Sequence, residues 1–270
     1  MNCLDQYRGK LLTAINRNLR TIVAAADEEA IHRFRVGVKR LTALYRFVGE
    51  VEPEIGAKRL LKPARRLSGS VSKVRDGHIA RKLLAELPGL KMRSVISLQR
   101  AIDEGIRRDY DIFQELVGND IRIPLRLPTV SALGLSESRL LRHKAPALEQ
   151  LLGGIVGVED RGDAEHWHGI RILLKRYHHT LEAFDLCPGH RRDEAELSQI
   201  GMLEQLLGDW HDRVITAEIL QALPRREKQC APAIAELGRQ QALLLGSARI
   251  YLARYSLRKT ATWRDPGCTG

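Results

Sequence analysis

Aromatic side chains make up only 5% of the 270 residues, too few for the interleaved stacking rings that hold single-stranded nucleic acid. Cysteine is equally sparse. Cys3, Cys187, Cys230 and Cys268 form no Cys-x-x-Cys pair, a spacing that supports neither a zinc cluster nor a disulfide framework and makes a reducing cytoplasm the default compartment. No apolar run approaches the roughly 20 residues needed to span a bilayer. The opening Met-Asn-Cys-Leu-Asp-Gln-Tyr-Arg carries an acid where a secretory leader needs an apolar block, so no leader is expected. Strict strand alternation is missing throughout. So are a Walker loop, a nucleophile elbow and a His-Glu-x-x-His helix. Gly and Pro stand at ordinary levels, and 44% hydrophobic with 29% charged residues describes a globular chain. Its length allows one large domain or two of ordinary size.

What the chain does have is positive charge, unevenly placed. Lys and Arg number 44 against 33 Asp and Glu, a formal net charge of +11. Residues 1–135 hold 25 basic and 15 acidic side chains, whereas residues 136–270 hold 19 and 18. Such asymmetry points to a polyanionic partner more than to general solubility.

The 3.6-residue apolar period predicts helices near 4–25, 28–51, 57–73, 76–87 and 91–118, then near 137–156, 164–186, 193–208, 211–222 and 228–259. Pro63 either opens the third helix or kinks it. Residues 119–136, with Pro124, Pro128 and Gly134, read as a linker between two similar halves. A duplication is supported by two matches in the same order. His32 to Arg40 lies over His168 to Arg176 at an offset of 136, and Arg75 to His78 lies over Gly208 to His211 at an offset of 133. The expected organisation is therefore one domain over 1–270, with repeats at about 1–118 and 137–262.

The repeated helix has a chemical pattern. At 100° per residue, His32, Arg35, Lys39 and Arg46 fall within roughly 60° of one another, opposite Phe34, Val38, Leu41, Tyr45 and Val48. His168, Arg171, Lys175 and His178 stand in the same way opposite Ile170, Leu174, Tyr177, Leu181 and Phe184, and Arg40 and Arg176 flank the two stripes. A solvated face is the ordinary fate of a basic helix, but such faces mix signs for i,i+4 pairing. The first stripe contains no acid, and both begin with His. A His among cations tends to be neutral and can donate through one ring nitrogen while accepting through the other.

On the third helix Lys58, Arg59, Lys62, Arg65 and Arg66 fall within about 120° if the helix is continuous through Pro63. Between Lys58 and Lys82 there are nine basic residues and one acid, Asp76, a concentration that a bound anion would relieve. The second half mostly lacks it, with Ala195, Ser198 and Gln199 in place of Lys62, Arg65 and Arg66. Asp76 and Asp209 are expected near the starts of short helices, capping exposed N–H groups or orienting Arg75, His78 or His211.

At these residues the chain resembles the CHAD family, the conserved histidine α-helical domain, over essentially its full length. The family's twice-occurring His-x-x-Arg-[Val/Ile]-x-x-[Lys/Arg]-[Lys/Arg] is matched by His32, Arg35, Val36, Lys39 and Arg40, and again by His168, Arg171, Ile172, Lys175 and Arg176. Its Arg-Asp-x-Asp element is matched by Arg75 and Asp76, and its Leu-Leu-Gly-Asp-x-[Asn/His]-Asp element by Leu206 to Asp212. His78 departs from the usual acid, and Thr42 and His178 stand where Arg is frequent. The resemblance implies an all-α fold of two helical bundles related by a pseudo-two-fold axis, with a basic channel between them. It also implies binding of inorganic polyphosphate, in some members on polyphosphate granules. The expected ligand residues are His32, Arg35, Lys39, Arg40, Arg46, Lys62, Arg65, Arg66 and Arg75, with His168, Arg171, Lys175, Arg176 and His211.

Polyphosphate offers oxygen acceptors and charge but no base to stack, which suits Arg and Lys without aromatic rings. Neither a cofactor nor a membrane partner is implied, and oligomeric state has no signature. A triphosphate-processing accessory enzyme is the first alternative, because related domains are fused to CYTH triphosphatases with a Glu-x-Glu-x-Lys strand. The nearest string, Glu50-Val51-Glu52-Pro53-Glu54, lacks the Lys. A metal site from His166, His168, His178 and His179 is disfavoured because the first two do not share a helical face. Non-specific nucleic-acid binding is the third alternative, and the charge alone would give it at low salt.

Overall fold

The computed structural model describes residues 2–119, 124–156, 163–188 and 194–263; Cys268, residues 120–123 of the expected linker and residue 193 lie outside them. Among the described residues the fold is all-α. The helices are α1 (Cys3–Ala25), α2 (Glu28–Val51), a single turn α3 (Ala57–Leu60), α4 (Lys62–Glu86), α5 (Met92–Asn119), α6 (Glu137–Val156), α7 (Ala164–Ala183), α8 (Glu194–Gln221) and α9 (Glu227–Trp263).

The apolar period drives this assembly. Phe34, Val38, Leu41, Tyr45 and Val48, one face of α2, are all buried, as are Ile170, Leu174 and Tyr177 on α7. Each fully buried large apolar side chain contributes about 1.5–3 kcal/mol relative to exposure. Both helices start on an aspartate whose side chain accepts from the chain three residues on. Asp27 accepts from the Ala30 N–H at 2.6 Å, and Asp163 from the His166 N–H at 2.7 Å. In the first half α1 packs on α2, α2 on α4 and α4 on α5; in the second, α6 packs on α7, α7 on α8 and α8 on α9. The two series meet where α2 crosses α7 and α4 crosses α8. One apolar cluster fills α1, α2 and α4 and takes in Phe184 and Cys187. A second fills α6 to α9, and a third, with Leu84, Leu98, Leu220 and Leu237, joins α4 and α5 to α8 and α9.

Several features differ from the sequence expectations or decide between them. The breaks expected at 74–75 and 209–210 are absent, because α4 and α8 each run straight through. Apolar burial continues across the first of them at Val71, Val74, Ala80 and Leu84. Gly77 serves packing rather than a turn, since a Cβ there would lie 2.5 Å from Ile106 of α5. Asp76 and Asp209 are consequently mid-helix residues and cap nothing. Pro63 opens α4 at its first turn, where its missing N–H costs no helical bond. One residue, Leu61, still in the right-handed helical region, separates α3 from α4.

The described part of the linker is held down. Asn16 brackets Leu125 through two backbone bonds of 3.0 and 2.7 Å, and buried Asp5 accepts from the Val130 N–H at 2.5 Å and the Ser131 hydroxyl at 2.6 Å. Finally, Cys3 and Cys187 form a disulfide, with Cα atoms 5.0 Å apart across 184 residues of sequence. Wide spacing gave no support for a bridge because pairing over such a distance carries no local pattern. The two cysteines meet because the start of α1 and the end of α7 share one core cluster. Cys230 is a buried free thiol.

Candidate functional site

The two basic stripes lie where α2 and α7 pack together. Beside that crossing is a cavity of about 380 Å³, lined by α2, α4 and α7. Of the residues expected from the sequence, Lys39 and Arg46 reach it from α2, Arg65 from α4, and Arg171, Lys175 and Arg176 from α7. Ser68, Ser72 and Thr42 add hydroxyls, and His179 a ring; no Phe, Tyr or Trp lines it. From His32 to Arg46 the stripe on α2 is about 21 Å long at 1.5 Å per residue, so the cations form a track rather than a point.

Charge is crowded at its centre. Burial, then the facing Lys175 ammonium and the guanidiniums of Arg35 and Arg171, pushes Lys39 down to about 7. Burial, then Arg171, pushes Lys175 down to about 8, with Glu204 and Asp212 opposing. Burial also lowers Arg171, although Asp212 counteracts it. Asp212 in turn is raised by burial, against the pull of Arg171 and Lys175. His211 is forced down to about 3 by burial and then by Arg171, His168 and Lys175, so its imidazole is neutral at physiological pH. Its ring centroid is 5.1 Å from that of His168. Arg35, 17% exposed, donates through Nη1 to Asp76 at 3.3 Å. The Nε atoms of Arg35 and Arg171 are both buried and without a partner. Two buried guanidinium edges of this kind are costly unless something accepts from them.

Other expected residues are placed differently. Arg40 gives both prongs of its fork to Glu182, Nε at 2.9 Å and Nη2 at 2.7 Å, which makes it a brace from α2 to α7. Arg176 lines the cavity and also pairs with Glu50 on α2. Arg75 is bound to Glu28 at 2.5 Å beside the start of α2, near His32. Partial burial, then Arg75, lowers the His32 imidazole. Lys62 and Arg66 are exposed on α4 outside the cavity's lining. Of the four histidines weighed as a metal set, His178 and His179 are neighbours, ring centroids 5.8 Å apart with Glu182 beside both, and among the described residues no group of three or more metal-ligating side chains forms. His166 stacks edge-on against Trp167, His168 faces His211, His178 lies 2.7 Å from Glu204, and His179 lies 3.0 Å from Glu182. The Glu204 hydrogen bond raises His178 against the effect of burial. Burial would raise Glu182, but His179 and then Arg40 hold it down to about 2.

Sequence reasoning passed over Glu204 and Asp212, which oppose the crowding at Lys175, and Glu182, which takes Arg40 and His179. Glu182 had a signal, since it continues the α7 stripe four residues beyond His178. Asp212 stood inside the quoted Leu-Leu-Gly-Asp element. Glu204 had none, because its role depends on how α8 packs on α7.

Over residues 6–221 the chain matches the family model described as CHAD domain. Among solved structures, the CHAD domain from the plant Ricinus communis is similar with a TM-score of 0.66 and 21% sequence identity, covering 93% of this chain and 90% of that one. PptA from Streptomyces chartreusis is similar with a TM-score of 0.64 and 15% identity, covering 95% of this chain and 98% of that one. At these identities the likeness is one of fold. No curated protein matches the chain. Among the described residues no helix is long and apolar enough to cross a membrane.

Proposed function

The chain belongs to the CHAD domain family, and from that premise we propose that the cavity between α2, α4 and α7 binds inorganic polyphosphate without transforming it. One observation carries the proposal: Lys39, Arg171 and Lys175 line the cavity, Arg35 lies outside its lining but near enough to lower both lysines, and both arginines keep a buried, unpartnered Nε. Acids nearby offset only part of that charge, and an anion threaded between the two helices would accept from the free guanidinium edges and recharge the lysines. A track of cations about 21 Å long suits a linear polymer whose charges repeat along its length. The Ser68 hydroxyl suits a phosphoryl oxygen, whereas those of Thr42 and Ser72 already donate to the Val38 and Ser68 carbonyls, and a wall without Phe, Tyr or Trp offers bases little to stack on. The first half's Arg46 and Arg65 extend the track, so that α2 and α4 together bring three cations to the wall, Lys39, Arg46 and Arg65, against Arg171, Lys175 and Arg176 from α7. Polyphosphate granules are the location this reading suggests, while the Cys3–Cys187 disulfide removes the cysteine-spacing argument for a reducing cytoplasm.

The lysines make the binding proton-linked. In the free protein Lys39 and Lys175 lose their protons near 7 and 8. A bound polyanion raises both values, so affinity is greatest below about 7 and falls as the pH rises through that window. Calorimetric titration of polyphosphate near pH 8 in buffers of differing ionisation enthalpy is expected to show net proton uptake. Affinity independent of pH, or proton release on binding, would contradict this account of the site.

A further inference from the structure

A second cationic pocket lies apart from the crossing of α2 and α7. It has a volume of about 300 Å³ and is lined by Arg93, Ile96, Ser97, Arg100 and Glu104 of α5, with Arg226 at the turn into α9. On α5, Arg93, Ser97, Arg100 and Glu104 recur at the four- and three-residue spacing that puts side chains on one face. Arg226 is built into place. Its Nη1 donates to the Ser97 hydroxyl at 2.6 Å and to the Ser97 carbonyl at 3.2 Å, and neighbouring Gln229 donates to the Ser94 carbonyl at 3.4 Å. The turn that delivers it is tight enough to hold Arg225, a non-glycine residue, at a φ of 57° in the left-handed region.

Three guanidiniums thus share one concavity with a single carboxylate. Arg93 and Arg100 make no ion pair among the described residues, and Arg226 uses only Nη1 for the bonds it makes there. Arg93 and Arg226 also sit at the starts of α5 and α9, where helix dipoles add positive potential and cations are disfavoured. A solvated basic face would spread such charges along a convex surface and pair them at i,i+4. Here α5 and the α8–α9 turn bring them together, with an apolar wall at Ile96. Fork-shaped donors around a small hollow match a tetrahedral oxyanion with several charges.

We propose that this pocket is a second phosphate site, separate from the α2–α7 cavity, which takes a compact, multiply charged phosphoryl group. Free inorganic diphosphate and the phosphomonoester head of phosphatidic acid both present that chemistry. The test uses the full chain with Lys39→Met and Lys175→Met, which removes the central lysines, titrated with inorganic diphosphate at physiological ionic strength. One saturable site is expected, weakened at least about tenfold when Arg93→Ala and Arg100→Ala are added. Both arginines are exposed, so the helical circular dichroism spectrum should be unchanged. Absence of saturable binding, or affinity indifferent to Arg93 and Arg100, would overturn the assignment. Vesicles of phosphatidic acid in phosphatidylcholine distinguish the sources. Co-sedimentation that requires Arg93 and Arg100 and is displaced by diphosphate assigns the pocket to a lipid head, whereas diphosphate binding without co-sedimentation assigns it to free phosphate. Should polyphosphate affinity survive the lysine substitutions, the central site would fail while the Arg93 and Arg100 comparison still decided this one.

Discussion

Replacing Lys39 and Lys175 together by Met is expected to weaken long-chain polyphosphate binding about 100-fold while leaving the fold at least as stable as the wild type. The loss follows from two charge-assisted contacts at the low end of their range, ~1.5 kcal/mol each, with about 1.4 kcal/mol for each tenfold change in affinity. The stability follows from the sign of the lysine shifts. Both groups titrate lower in the folded protein than in the unfolded chain, where the ordinary value of 10.5 applies. Folding near neutral pH therefore holds their charged forms at a penalty that grows as pH falls from 10.5 toward 8 and 7. Methionine keeps the length and apolar stem of lysine without the charge. Thermal unfolding without ligand should move upward or stay level, and calorimetry should show the affinity loss. Arg17→Ala with Arg20→Ala, on the exposed side of α1, removes the same charge and should cost less than about threefold at physiological salt. Equal losses from both pairs would mean that only net charge matters.

The second large effect concerns the disulfide. Cys187→Ser is expected to lower unfolding stability by about 2–5 kcal/mol. The bridge ties the start of α1 to the end of α7 and closes 184 residues of chain. In the chain-entropy account, that constraint restricts the unfolded state more than a short loop would. Both sulfurs are buried beside Phe184, whose ring meets Phe47 of α2 edge-on at 5.2 Å. The bridge thus anchors to α1 the same end of α7 that Arg40 and Glu182 brace to α2. Denaturant unfolding of the wild type, with and without dithiothreitol, checks the cause. Reduction should bring its midpoint close to that of the variant, and a wild-type midpoint insensitive to reductant would show that the link contributes nothing.

Much of this arrangement could be read from the sequence, because periodicity and residue type are local properties. The apolar faces of α2 and α7 pack as their spacing predicts, and Lys39, Arg46, Arg171, Lys175 and Arg176 line one cavity. What could not be read depends on the crossing of distant elements. Arg40 carries the same motif letter as its neighbours, yet Glu182 takes its whole fork because α7 lies there. Asp76 looked like a cap because the apolar period places the start of a short helix at residue 76. Gly77 lets α4 lie against Ile106, so the helix continues and Asp76 meets Arg35. Cys3 and Cys187 gave no hint of each other. The charge asymmetry between halves also changes meaning, since cations from both halves meet at the α2–α7 crossing.

Competition measures the central claim most directly. Labelled long-chain polyphosphate bound at physiological salt is challenged with unlabelled polyphosphate, duplex DNA and single-stranded DNA at matched phosphate concentration. A cavity lined by Lys, Arg and hydroxyl side chains without Phe, Tyr or Trp predicts displacement by polyphosphate at least about tenfold more efficient than by either DNA. Equal displacement by DNA would show a general polyanion surface and contradict the assignment.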